Sequence, residues 1–141
     1  MRLWHKNLLS VLPRQQLPSQ WRECCCIAKN LATNGTPNHI LVNKILDYPI
    51  EHFCLYGVYV IAEMKKRGYR VSKESQERFF NNLTDEGGTN LSYDELFLGW
   101  HNDRYLKQCY YNLQEKADCG GISKEEWDKI EKEFGWCDDE S

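Results

Sequence analysis

Residues 50–64 constrain the fold most. Ile50, Cys54, Gly57, Ile61 and Met64 step by four and three along one face of a helix. Lys65, Lys66 and Arg67 complement the dipole of its last turn, and Gly68 stops it. No segment sustains an alternation of period two, so the chain reads as all-α.

The other punctuation fits that frame. A first helix is expected from Ser19 to about Thr33, with Pro18 before it, Ser19 as its cap and Asn34-Gly35 as its stop. The second is expected to start near Asp47, with Pro49 in its first turn. A shorter helix from about Lys73 to Leu83 follows Val71-Ser72, and the loop 84–90 breaks the chain. Ser92 and Glu95 form a capping box from which a long helix is expected to about Ala117. Cys119-Gly120-Gly121 ends it, and Ser123 with Glu126 caps a short helix ending at Gly135. The acidic tail 136–141 is expected to fray. The expectation is one helical domain over residues 1–141, with about three main helices and short C-terminal ones.

Charged residues at 28% and hydrophobic residues at 41% suit a soluble globular chain. No apolar run reaches the roughly 18 residues of a membrane span, and "MRLWHKNLL" has no long apolar run behind its cations, so neither a span nor a signal peptide is expected. Seven cysteines (24, 25, 26, 54, 109, 119 and 137) include no CxxC pair. They read as reduced thiols, mostly buried, and not as a metal site. The first 70 residues carry ten Lys/Arg against four acids, and the remaining 71 carry eight against seventeen. An acidic pI of 5.8 argues against a generic nucleic-acid binder, while the basic first half leaves room for an anionic ligand on one face.

The chain holds no GxSxG, no phosphate-cradling glycine loop and no HExxH. Its four histidines are dispersed. Glu23 is the one acid among the first 46 residues, flanked in sequence by Arg14, Arg22 and Lys29. On a helix it shares a face with Ile27. A carboxylate partly buried among cations is an acid/base candidate, and a salt bridge to Arg22 or Lys29 is the structural alternative.

The start "MRLW…L…L…QQL…QWRE", "KNLATNG" at residues 29–35, "EMKKRGYRV" at 63–71 and, more weakly, "NLQEK" at 112–116 resemble the pyrimidine-dimer DNA glycosylases of the phage endonuclease V type. The resemblance spans roughly residues 1–116, leaving 117–141 as a divergent acidic segment. It implies an all-α enzyme that cleaves the glycosidic bond of the 5′ base of a pyrimidine dimer and then nicks the strand at the abasic site. In such enzymes the nucleophile is an N-terminal α-amine and the essential acid is a first-helix glutamate. Glu23 matches that glutamate, Arg22 the DNA-contacting arginine before it, Arg2 the arginine after the nucleophile, and Lys116 a basic residue of the last helix.

The resemblance assigns catalysis to Met1 and Glu23, and DNA contact to Arg2, Arg22 and Lys116; Arg14, a cation flanking Glu23 in sequence, is a further candidate for DNA contact, and neither metal nor cofactor is expected. Arginine at position 2 is too large for normal removal of the initiator methionine, so the amine is that of Met1, and matching Met1 to the nucleophile needs a one-residue gap before Glu23. α-Amines are less basic than lysine, so a neutral fraction is available near neutral pH to attack C1′ of the sugar. The expected partner is double-stranded DNA with a damaged or modified base, bound by a monomer in the cytoplasm of a bacterium or phage-infected cell, at the nucleoid. Cys26 stands where the family has a basic residue, and "EEWDKIEKEFGWCDDES" replaces its aromatic, basic C-terminal segment.

Two other readings accompany this one. A helical module that binds nucleic acid or protein without catalysis fits the acidic C-terminal half. A glycosidase of the same fold acting on a different nucleotide keeps the chemistry. Trp4, Trp21, Trp100, Tyr110 and Tyr111 are candidates to flank a flipped base or to fill the core. Trp21 and His101 are the possible additions to the site.

Overall fold

The computed structural model describes residues 1–85 and 89–135. The middle of the loop 84–90, the acidic tail and Cys137 lie outside the described residues. Five α-helices and two 3-10 turns carry the described chain: a 3-10 turn at Lys6–Val11, α1 at Gln16–Asn34, a 3-10 turn at Asn43–Asp47, α2 at Ile50–Lys66, α3 at Lys73–Leu83, α4 at Asp103–Asp118 and α5 at Lys124–Phe134. Among the described residues there is no strand, and the all-α expectation holds.

α1 starts three residues before the expected Ser19. The Pro13 carbonyl accepts from the amides of Gln16 (2.9 Å) and Leu17 (3.2 Å), which nucleates the helix early. Pro18 then sits in the first turn, where its missing N–H would have had no partner. Ser19 is therefore inside the helix and is not its cap; its hydroxyl accepts from the Arg22 guanidinium at 2.9 Å. Gly35, at φ +72°, ends the helix with its amide on the Leu31 carbonyl.

α2 begins later than expected, because Pro49 takes the N-cap position and residues 43–47 wind a separate 3-10 turn. Cys54, Gly57, Ile61 and Met64 are buried along one face as the spacing predicts, and Ile50 is exposed. At Gly57 a Cβ would lie 2.4 Å from Cζ of Phe79, so only glycine lets α2 and α3 approach this closely. α3 has the expected limits, with the Ser72 hydroxyl accepting from the Ser75 amide.

The Ser92–Glu95 box forms but starts no long helix. The Ser92 amide donates to Glu95 Oε1 (3.1 Å) and the Glu95 amide to Ser92 Oγ (3.3 Å). The Phe97 amide, which a helix would send to the Tyr93 carbonyl, donates instead to His52 Nδ1 at 3.0 Å. The Tyr93 carbonyl is taken by Lys6 Nζ at 2.6 Å. Phe97 and Gly99 then adopt positive φ, and the helix starts afresh at α4, where the Asn102 side chain accepts from the Tyr105 amide. Ser123 caps α5 as expected.

α1 packs on α3 and α2, and α4 packs on α5. The N-terminal segment is part of the core: Leu3, Trp4, Leu8, Leu9 and Leu12 are buried, and its 3-10 turn lies against α2 and α5. Six cysteines are described, and among the described residues no disulfide joins them; Cys24, Cys54 and Cys109 are buried, Cys25 is partly buried, and Cys26 and Cys119 are exposed.

Candidate active site

The folded N-terminus meets α1 at Glu23. The Arg2 amide donates to Glu23 Oε2 at 3.2 Å, one peptide away from the α-amine. Gln20, one helical turn before Glu23, fixes both partners. Its Nε2 donates to the Arg2 carbonyl (2.9 Å) and to Glu23 Oε2 (3.3 Å). Its Oε1 accepts from the Trp4 amide at 2.7 Å. Gln20 is 1% exposed, so these bonds form away from water and leave its amide one orientation.

Two tyrosines hold the other carbonyls of the segment. The Tyr56 hydroxyl donates to the Trp4 carbonyl (2.7 Å) and lies 2.9 Å from Gln20 Oε1. The Tyr105 hydroxyl donates to the Leu3 carbonyl at 2.5 Å. Burial pushes both phenols well above their usual range, so both stay neutral donors. Met1 itself is 39% exposed. The chain end thus reaches solvent while the next residues are pinned to three helices.

Arg2 is half-buried. Its guanidinium lies over the rings of Trp4 (5.7 Å) and Tyr105 (5.9 Å), with Cys109 Sγ 3.8 Å away. Burial raises the Cys109 thiol, so it stays protonated.

Behind this layer lies a buried basic cluster. Lys6 Nζ donates to the carbonyls of Tyr93, Leu96 and Asp94, and the Lys6 amide donates to His101 Nδ1 at 3.0 Å. His5 and His101 stack with ring centroids 5.0 Å apart. Burial pushes His5 down to about 4 and His101 to about 2, with the positive charges of His5 and Lys6 adding to the lowering at His101, so both are neutral at pH 7. His101 Nε2 is buried without a partner among the described residues. His101 supports the N-terminal turn from beneath.

The other expected site residues are spread around α1. Arg22 is exposed beside Glu23 in sequence and held by Ser19. Arg14 is exposed, and its amide donates to Glu126 Oε2 of α5 at 2.5 Å. Lys116 is exposed in the last turn of α4 and is not brought to Glu23 by any described contact. Trp21 is buried against Phe79, with its Nε1 donating to Ser75 Oγ at 3.3 Å. Trp4, Trp100 and Tyr110 are also core residues, and Tyr111 is exposed. Gln20, Tyr56 and Tyr105 were not among the expected residues. The one trace in the sequence was the three-residue spacing of Gln20 and Glu23 on a helix face.

Among the described residues, no group of three or more His, Cys, Asp or Glu side chains is placed to hold a metal ion. No helix of the described residues is long and apolar enough to cross a membrane. Compared with known families, residues 1–77 match the family model described as pyrimidine dimer DNA glycosylase. The chain belongs to that family. Family membership implies DNA glycosylase activity and a DNA substrate, and the matched stretch contains α1, α2 and the pinned N-terminus. No curated protein and no solved structure matches the chain.

Proposed function

We propose that the protein removes a damaged base from duplex DNA, a pyrimidine dimer in the first instance, and nicks the abasic strand through a Schiff base on the Met1 α-amine. The observation that carries this reading is the hydrogen bond from the Arg2 amide to Glu23, clamped by Gln20. It puts an acceptor carboxylate one peptide from a solvent-reaching chain end.

In this reading the neutral α-amine attacks C1′ of the target nucleotide, whose extrusion costs less when the base is damaged. The C1′–base bond breaks and its electron pair leaves with the base. The nitrogen then loses one proton, and its lone pair breaks the C1′–O4′ bond to open the sugar ring, O4′ taking up a proton, which gives the protonated imine. Glu23 stabilises the cationic sugar as it develops and takes the C2′ proton, so that the 3′ phosphate leaves by β-elimination. Arg2, Arg22, Arg14 and Lys116 are the proposed phosphate contacts.

The test is strand cleavage of a duplex with one thymine dimer and of a duplex with one abasic site. Wild-type protein is expected to cleave both. Glu23→Gln keeps an acceptor for the Arg2 amide, and is expected to bind both duplexes while cleavage falls by about 100-fold or more. An uncleaved N-terminal extension is expected to bind and not cleave. Undiminished cleavage by the extended protein would remove the α-amine from the mechanism. Binding without cleavage by the wild type would support the non-catalytic module.

A further inference from the structure

Two grooves abut along the side of α1 that includes Arg22. The first, about 460 Å³, is lined by Arg14, Gln15, Pro18, Ser19, Arg22 and Tyr69. The second, also about 460 Å³, shares Pro18 and Arg22 and adds Arg70, Arg78, Ser72 and Ser75 among its walls. Four arginines therefore lie along one continuous channel, and no acid lines either part. This happens in a chain whose net charge is −3. The nearby acids Glu74 and Glu77 are exposed on α3 and do not line the channel. At its far end Arg14 borders a different cavity, where Glu63, Glu125 and Glu126 are in the wall.

Two of the three arginines of the second groove are unspent. Arg70 and Arg78 are exposed, and among the described residues neither guanidinium has a hydrogen-bond or ion-pair partner. The start of α3 lines the same groove through Ser72 and Ser75. A helix start adds first-turn amides and the positive end of the dipole to the field. Arg78 lies beyond the residues that carry the family match.

We propose that Arg70 and Arg78, with Arg22 between them and Arg14, form a track for the phosphodiester backbone of the DNA strand leading away from the lesion. The assignment rests on the glycosylase reading and extends it to two residues outside the Glu23 site. Guanidinium forks, serine hydroxyls and a helix start are donors that suit phosphate oxygens, and the absence of acids in the walls removes the competing anions. Such contacts set register and salt dependence without reading sequence.

The experiment measures binding of fluorescein-labelled duplexes, one with a single thymine dimer and one undamaged, by anisotropy from 50 to 200 mM KCl. The double variant Arg70→Ala/Arg78→Ala is expected to weaken binding to both duplexes by the same factor. It should also flatten the plot of log K against log salt by about 2, since each lost phosphate contact removes roughly 0.9. Lys124→Ala/Lys132→Ala, which removes two exposed cations from α5, is expected to keep the wild-type slope. Circular dichroism melts of both variants check that the fold is intact. An unchanged slope in the arginine variant overturns the track while leaving the glycosylase reading standing. An equal drop in the α5 variant overturns it too, since bulk charge then explains the effect. Wild-type protein that binds neither duplex overturns both readings.

Discussion

The N-terminal segment and α5 hold their places by different means. Residues 2–4 are irregular, yet their backbone is satisfied by side chains from three helices: Gln20 and Glu23 from α1, Tyr56 from α2 and Tyr105 from α4. α5 is a regular capped helix, and Ile130 is its one buried residue. One region is fixed by specific buried hydrogen bonds, the other by local propensity, shallow contacts with α4 and the first 3-10 turn, and an exposed bond from the Arg14 amide to Glu126. Buried polar networks are costly when broken. A chain end therefore keeps such a network where its position matters, and here that position is beside Glu23.

Breaking the network should cost most. Gln20→Ala leaves the Trp4 amide and the Arg2 carbonyl buried without their partner, and is expected to lower stability by about 4 kcal/mol. Urea unfolding checks this, and a loss under 1 kcal/mol would mean that the segment is not held by Gln20.

Acid should loosen the same region. His5 and His101 are neutral in the fold and titrate near 6.5 when unfolded. The unfolded chain therefore binds more protons below pH 6.5, so their share of stability is complete above that pH and is lost as pH falls toward 4. At pH 5.5 the loss is about 1 kcal/mol for each histidine. His101→Asn should remove about half of this slope in urea unfolding at pH 7.5 and 5.5; an unaltered slope would place the acid sensitivity elsewhere.

The smallest effect belongs to α5. Ser123→Ala removes the cap on the Glu126 amide and is expected to cost about 1 kcal/mol, without change in DNA cleavage. A loss of cleavage larger than the loss of folded protein would show that α5 reaches the site.

The same contrast explains what the sequence revealed. α3 was legible to the residue because Ser72 caps it locally, its hydroxyl accepting from the Ser75 amide. The long helix from Ser92 was misjudged because distant side chains, Lys6 and His52, take the carbonyl and the amide that would have continued it. Glu23 was visible as a lone acid in a basic stretch. Gln20, Tyr56 and Tyr105 were not, since their roles depend on where an irregular N-terminal segment lands. It is the fold that sets Arg70 and Arg78 in one groove with Arg22.

The central claim is that the Met1 amine is the nucleophile. Borohydride trapping on a duplex with one abasic site, followed by peptide mapping, tests it directly. A covalent adduct on the α-amine of Met1 is expected, absent when an N-terminal extension is left in place. An adduct on a lysine side chain, or equal trapping of the extended protein, would contradict it.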